Sequence, residues 1–376
     1  MKKVIIGMIC DGQAGGVDKH ILNFYDSVKS EDCKIDFLTN IPDHPKKAFF
    51  NSNGSDIYCI SGLNHPVRQY QQARDLFTKE NYDIVYMNIS TAITYPVIKA
   101  AHDAGVKKII VHSHSSGYDC TNPLKRAVFT CIHKLCKPKI CKYATDFLTC
   151  SDKAAEWMFV KDICVHKQYQ MIYNAVDTEK FRFNEEKRAE IRKELQLENK
   201  FVIGNIGNMV YQKNQLFLLD ILTEVLKQCD HAHLVIIGDG PLMGQIQEKA
   251  DLLGLHENIS LLGKQDASLG YMSAFDVFAL PSNFEGLPIV SVEAQMTSLP
   301  CVLSDTITKM ASISNMCDFV STKSVQQWAS ALLKYKDTDR SDFMAIDGEH
   351  FVLSKQKNTF IDILDTENPP PRSARS

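Results

Sequence analysis

The sequence lacks any stretch approaching the roughly 20 apolar residues that a membrane-spanning helix needs. It also lacks the pattern of a secretory leader: the basic start MKKVIIGMICDG has an apolar run only from Val4 to Cys10 before it breaks into Asp-Gly, too short for a leader's apolar region and cleavage site. Among its twelve cysteines, Cys131, Cys136 and Cys141 cluster without Cys-x-x-Cys spacing, which argues against a cysteine-based metal site. Nor is this a disulfide scaffold, because 376 residues with 44% apolar content suffice to build real cores. The expectation is a reducing, cytoplasmic location with free thiols. Strong net charge is missing as well, and −3 at pH 7 excludes a general polyanion binder, hence a nucleic-acid partner. Repeats of solenoid length are absent.

The near-neutral average hides an asymmetry. Residues 1–175 hold 22 Lys and Arg against 17 Asp and Glu, or +5, and residues 176–376 hold 20 against 28, or −8. Short β-rich apolar runs recur, each followed by a turn signal and a helical pattern, as parallel α/β folds require. They fall at Lys3–Ile9, Lys34–Leu38, Ile57–Ile60, Ile84–Met87, Lys108–Val111 and Phe147–Thr149, then at Phe201–Ile206, His233–Ile237, Ile259–Leu262, Val277–Leu280 and Pro300–Leu303. Two sets of five or six strands predict two doubly wound sheets. The charge changes sign at the joint, Ile172–Phe181, so the predicted domains are 1–175 and 176–350. Residues 351–376 form a terminal segment whose end, Glu367–Ser376, is too polar and proline-rich to order itself.

Several strand ends carry chemistry. The first strand runs into Asp11-Gly12-Gln13-Ala14-Gly15-Gly16, where paired glycines before a helix let backbone approach an anion. Gly207-Asn208 follows another strand, and Lys213 stands where an ammonium can reach a phosphate over that loop. Gly238-Asp239-Gly240-Pro241 resembles the start of a dinucleotide fingerprint, but Met243 occupies the third glycine position, which disfavours a nicotinamide enzyme. The most specific string is Phe284-Glu285-Gly286-Leu287-Pro288-Ile289 through Glu293. Its backbone N–H groups can hold a diphosphate at a helix N-terminus, while ionised Glu293 can accept two hydrogen bonds from a vicinal diol such as a ribose. His112-Ser-His114 lies at the carboxyl end of a strand, where open α/β sheets bind ligands. No third metal ligand stands at suggestive spacing, so these histidines read as polar or proton-handling groups. Pro123–Lys142 has six cations and no acid, interleaved with Val128, Phe129, Ile132 and Leu135, a composition suited to anionic lipid; Pro138 is expected to interrupt any long helix there.

In this order the motifs resemble the retaining GT-B glycosyltransferases of bacterial capsule and exopolysaccharide synthesis, family 4-like, group 1, over roughly residues 1–335. The resemblance implies an α/β GT-B fold, two Rossmann-like domains facing a cleft, with a nucleotide-sugar donor, expected to be a UDP-sugar, on the second and a saccharide or lipid-linked acceptor on the first. It implies that Lys213 binds the donor diphosphate, Glu293 the ribose, and Glu285 with the following backbone amides, those of Gly286, Leu287 and Ile289 in the loop that contains Pro288, the sugar and phosphate. Gly15, Gly16, Gly207, Asn208, Gly238 and Phe284 would line the donor site, and His112 or His114 the transferred sugar. No cofactor or metal is implied. Asn208 stands where the family usually has Arg, and Ala175 where glycine is common. Two rivals stay open: a nucleotide-sugar epimerase of the same fold, and a non-catalytic partner subunit of a glycosyltransferase. The expected location is cytoplasmic, peripheral to the inner face of the plasma membrane.

Overall fold

The computed structural model describes residues 1–10, 15–29, 32–178, 180–265, 268–340 and 348–365; the Asp11–Ala14 stretch and the Glu367–Ser376 tail lie outside them. The chain divides into two compact units. One comprises Met1–Tyr118, Pro123–Ala175 and the chain from Leu353 onward, the other Asp119–Asn122 and Val176–Val352.

Among the described residues, the first unit has seven parallel strands: β1 Lys2–Gly7, β2 Cys33–Thr39, β3 Ile57–Cys59, β4 Ile84–Ile89, β5 Lys108–Ser113, β6 Asp146–Thr149 and β7 Gln170–Met171. Their order is β3-β2-β1-β4-β5-β6-β7. The central runs are continuously apolar because helices cover both faces. Val4 and Ile6 of β1 pack with Ile84, Ile110, Ile21, Phe24 and Phe360 on one side, whereas Ile5 packs with Val85, Val111, Phe77 and Val97 on the other. Each such buried side chain contributes about 1.5–3 kcal/mol. The Leu353–Ile363 helix belongs here, its Phe360 ring 5.2 Å from that of Phe24.

In the second unit the strands are β8 Phe201–Ile206, β9 Ala232–Ile237, β10 Ile259–Leu261, β11 Val277–Leu280, β12 Cys301–Ser304 and β13 Cys317–Val320, ordered β10-β9-β8-β11-β12-β13 and parallel throughout. Strands β7 and β13 have no counterpart among the sequence-predicted runs. Both lie at sheet edges, and Gln-Met and Cys-Asp-Phe-Val, only half-buried or less, lack the unbroken apolar signal of a central strand.

The expected break at Pro138 does not occur. Pro123–Tyr143 is one helix with Pro138 inside it. The missing N–H would have bonded the Lys134 carbonyl, and both residues lie on the exposed side, where water can satisfy that oxygen. The opposite side buries His133, Cys136 and Ile140.

His133 is locked as a neutral imidazole. Its Nδ1 accepts from the Ala92 N–H at 3.0 Å, its Nε2 faces the Trp157 carbonyl at 2.8 Å, and its ring stacks on Trp157 with centroids 3.8 Å apart. Protonating Nδ1 would remove the acceptor that the Ala92 N–H needs. Burial pushes the His133 pKa down to about 4, against about 6.5 for the unfolded chain. The unfolded state therefore binds the extra proton first, so His133's contribution is intact above pH 6.5 and declines as pH falls toward 4, by at most about 1.4 kcal/mol per unit. Urea unfolding followed by Trp157 fluorescence should show the stability gap between wild type and His133→Asn narrowing by about 2 kcal/mol from pH 7.5 to pH 5; a constant gap would contradict the assignment.

Candidate functional site

Strands β8 and β11 are neighbours at the point where the second sheet reverses its winding, and ligands of open α/β sheets bind beyond the carboxyl ends of such strands. Three loops leave from there: 207–214 after β8, 238–241 after β9 and 281–288 after β11. Hydrogen bonds to backbone carbonyls stitch them together. The Asn283 N–H donates to the Gln212 carbonyl at 2.8 Å, the Asn283 amide to the Tyr211 carbonyl at 2.7 Å, and the Asn214 amide to the Pro281 carbonyl at 3.1 Å. Met209 N–H donates to the Asp239 carbonyl at 2.9 Å.

Glycine is needed at two of these positions. Gly238 has φ +140°, and a Cβ there would lie 2.1 Å from the Gly207 carbonyl oxygen. Gly240, at φ +156°, would place its Cβ 2.6 Å from the Met209 oxygen. These glycines let the 238–241 loop lie directly on the 207–214 loop. Met243 opens the Met243–Leu252 helix.

The centre of the site is an ion pair. Lys213 Nζ stands 2.6 Å from Glu285 Oε1, with the two side chains only 16% and 6% exposed. Ser282 Oγ donates to the same carboxylate oxygen at 2.9 Å, and Gln212 Nε2 donates to Oε2 at 2.8 Å. Thus three donors from two loops converge on Glu285, and the Lys213 ammonium is held in one place rather than sampling the rotamers of a surface lysine. Gln212 and Ser282 escaped the sequence reading, although both flank residues it selected.

Glu293 is 3% exposed within the Ile289–Met296 helix, and Pro288 occupies its N-cap position. Gly286, Leu287 and Ile289 are buried, whereas Phe284 is partly exposed. Gly207 lies beside the Lys213 stem, a Cβ there falling 3.3 Å from Lys213 Cε. Asn208 is exposed, and its carbonyl accepts from Gln215 Nε2 at 3.0 Å.

The other expected residues stand in the first unit. Gly15 is the N-cap of the Gly16–Val28 helix, and a Cβ added at Gly15 or Gly16 meets no atom within 4 Å among the described residues. Packing among the described residues therefore does not demand their smallness. His112 on β5 shares the strand face of Ile110, and the parallel register sets it beside Asn88 of β4. Tyr86 points to that same side, as does His20 from the Gly16–Val28 helix. Tyr86 Oη lies 2.8 Å from His112 Nδ1 and 3.0 Å from His20 Nε2, and His114 Nε2 lies 2.9 Å from Asn88 Oδ1. All three imidazoles are buried, and that burial drives their pKa values far below the ordinary range, to about 3 for His20. They are neutral, so none is a resident cation. His20, Tyr86 and Asn88 were not among the sequence candidates; the Gly16–Val28 helix brings the His20 ring beside His112 and His114, a proximity that sequence spacing does not show.

Comparison with known families now decides the identity. The sequence model for glycosyl transferases group 1 matches residues 200–337, and that for Glycosyltransferase Family 4 matches residues 14–180. The chain belongs to this glycosyltransferase family. The putative glycosyltransferase EpsF of Bacillus subtilis is 28% identical over 317 residues, 82% of this chain and 80% of its own. An Escherichia coli enzyme named UDP-Gal:alpha-D-GlcNAc-diphosphoundecaprenol alpha-1,3-galactosyltransferase is 27% identical over 350 residues, 87% of each chain. Among solved structures, Anabaena Alr3699/HepE in complex with UDP-glucose superposes with a TM-score of 0.76 at 17% identity, covering 97% of this chain and 99% of that one. The glycosyltransferase therefore has the α/β GT-B fold, with two Rossmann-like units.

The backbone packing at Gly238 is directly testable. Gly238→Ala in this glycosyltransferase should destabilise the second unit by about 1–3 kcal/mol, the usual cost of forcing strain on a tight loop, whereas Gly244→Ala, where a Cβ meets open space, should not. Equal thermal midpoints for the two variants would refute the close approach.

Proposed function

We infer that this glycosyltransferase moves a hexosyl or N-acetylhexosaminyl residue from a UDP-sugar to a lipid-linked saccharide, with retention of anomeric configuration, as a step in surface-polysaccharide assembly. The observation that carries this reading is the held Lys213 ammonium at the winding reversal of the second sheet. The printed name of the Escherichia coli relative, which joins a UDP-sugar donor to a diphosphoundecaprenol acceptor, supports the substrate class.

As the anomeric bond breaks, negative charge gathers on the departing nucleoside diphosphate, while the acceptor hydroxyl forms the new glycosidic bond. Stabilising that charge with oriented donors is worth more than supplying a strong base. Lys213 meets the diphosphate, the amides around Gly286 to Ile289 add their dipoles, and Glu293 accepts from the ribose hydroxyls. Glu285 positions Lys213 and faces the sugar. Gly15 and Gly16 carry no Cβ, which lets their backbone approach an anion closely. No metal is assigned to this step, and no proton is routed through His112 or His114.

With saturating UDP-sugar, Lys213→Ala should lower kcat by about ten- to a thousandfold, and Glu293→Ala should mainly weaken donor binding by calorimetry. Turnover should require an acceptor. Conversion of a UDP-sugar by the protein alone would favour the epimerase, and absence of any nucleotide-sugar binding would favour the non-catalytic subunit.

We further infer that the first unit rests on anionic lipid through the Pro123–Tyr143 helix, which brings a cytoplasmic enzyme to the inner membrane face. Leu124, Val128 and Leu135 are 78%, 58% and 70% exposed, and with Ile132 they form one stripe at helical spacing. Lys125, Lys134, Lys139 and Lys142 are exposed beside it. Each lysine at an anionic surface contributes about 1 kcal/mol, so the double variant Lys125→Glu/Lys134→Glu should bind phosphatidylserine-containing vesicles at least about tenfold more weakly. Wild-type binding that is insensitive to salt, or absent, would remove this reading.

A further inference from the structure

One charged group of the second unit lies beside the candidate site and has no part in the transfer chemistry above. Asp119 opens the segment Asp119–Asn122, which belongs with Val176–Val352. Its Oδ1 accepts from the backbone N–H of Gln212, the residue before Lys213, at 3.0 Å. The side chain of the same glutamine donates to Glu285 Oε2 at 2.8 Å. Gln212 therefore grips two carboxylates, one with its backbone and one with its side chain. The pKa of Asp119 is raised, first because the surrounding chain takes water from it and also because of the Glu285 charge, while the Gln212 N–H and Lys213 act in the opposite sense. The carboxyl group thus stands within electrostatic reach of the central ion pair.

Asp119 is exposed, and among the described residues the Gln212 N–H is its one hydrogen-bond donor. That bond pins one oxygen and leaves Oδ2 open to accept from a ligand. A mere loop tie has no need of a carboxylate: an amide or hydroxyl oxygen would satisfy the same N–H without bringing a second negative charge toward Glu285. Charges kept close against their own repulsion cluster at functional sites. The same charge limits what the open oxygen can meet. It repels a diphosphate, and on the function proposed above Lys213 takes the diphosphate and Glu293 the ribose. What remains of a nucleotide-sugar is the transferred sugar, a neutral group with several O–H donors. A carboxylate oxygen accepts from such a hydroxyl, in a bond stronger than one between neutral groups.

We propose that Asp119 is a specificity-determining residue of this transferase, its Oδ2 accepting a hydrogen bond from a hydroxyl of the donor's sugar. The proposal rests on the UDP-sugar reading above and adds to it a residue that tells one sugar from another. A sugar whose hydroxyl is missing, or points elsewhere, leaves that contact unmade. Such a loss discriminates strongly, because a polar group of the site then goes unpaired.

Calorimetry without acceptor separates the two parts of the donor. Asp119→Ala should bind UDP within about threefold of wild type, and the UDP-sugar that wild type turns over best about 10- to 100-fold more weakly. Asp119→Asn can still accept from the Gln212 N–H but presents an N–H donor in place of the open oxygen, and it should show the same split. With UDP-sugars deoxygenated at single carbons, wild type should lose about 10- to 100-fold in kcat/KM at the position that Asp119 reads, and Asp119→Ala should lose nothing further there. A purely structural tie would weaken UDP and UDP-sugar alike and leave the two losses multiplicative, which overturns the proposal. So does a variant whose donor binding is unchanged and whose acceptor KM alone rises. Failure of wild type to bind UDP overturns the donor reading and this inference with it, whereas normal UDP binding with undiminished UDP-sugar binding in Asp119→Asn overturns this inference alone.

Discussion

The second unit is organised around a single electrostatic requirement. A lysine ammonium as enclosed as Lys213 must have an anion beside it, because removing one partner from a buried pair leaves an uncompensated charge that costs about 3–5 kcal/mol. Glu285 supplies that anion, but it sits on the loop after β11, whereas Lys213 sits on the loop after β8. The two loops can meet only because β8 and β11 are adjacent in the sheet. The same adjacency aligns Asn283 with the Gln212 carbonyl and Asn214 with the Pro281 carbonyl. Topology, backbone pairing and charge therefore specify one loop geometry, and the lysine is preorganised before any ligand arrives.

How far this was legible in the sequence depended on the range of the interaction. Central strands announced themselves through unbroken apolar runs, since both faces of each sheet are covered. The edge strands β7 and β13 did not, because a strand with one neighbour need not be apolar throughout. Lys213 and Glu285 were each recognisable from local context, as a lysine after a glycine loop and a glutamate before a helix. Their mutual contact was not, for nothing in either segment encodes which strands become neighbours. Gln212 and Ser282 were missed for a related reason: Gln212 acquires meaning only when the Glu285 carboxylate reaches it from the other loop, and Ser282 only when its own loop turns that carboxylate back onto it.

The first unit shows the same limit more sharply. His112 and His114 were conspicuous because alternate residues of a strand share a face. Tyr86 and Asn88 share that face by the same rule on the neighbouring strand, but they lie in a run whose apolar character concealed them. His20 lies in an amphipathic helix, where a histidine among Ile21, Phe24 and Tyr25 resembles an ordinary interior residue. Only the packing of that helix over β4 and β5 turns a pair into a triad. Pro138 teaches the converse lesson, since a local rule about helix interiors gave way to a position where water can satisfy the freed carbonyl.

The charge asymmetry between the halves takes on physical content from the ion pair. Lys213 and Glu285 together are neutral, and the second half of the chain carries an excess of acids. On the function proposed above, a diphosphate that engages Lys213 shares it with Glu285, and the neutral Asn208 side chain adds no charge to that contact. On the same reading, affinity in the ground state is restrained. As the leaving group acquires charge, its pull on the shared ammonium grows while that of Glu285 stays fixed, and the balance moves toward the diphosphate at the stage when stabilisation lowers the barrier. A lysine shared in this way contributes less to holding the donor than a free cation would, and proportionately more to the step in which the donor is cleaved.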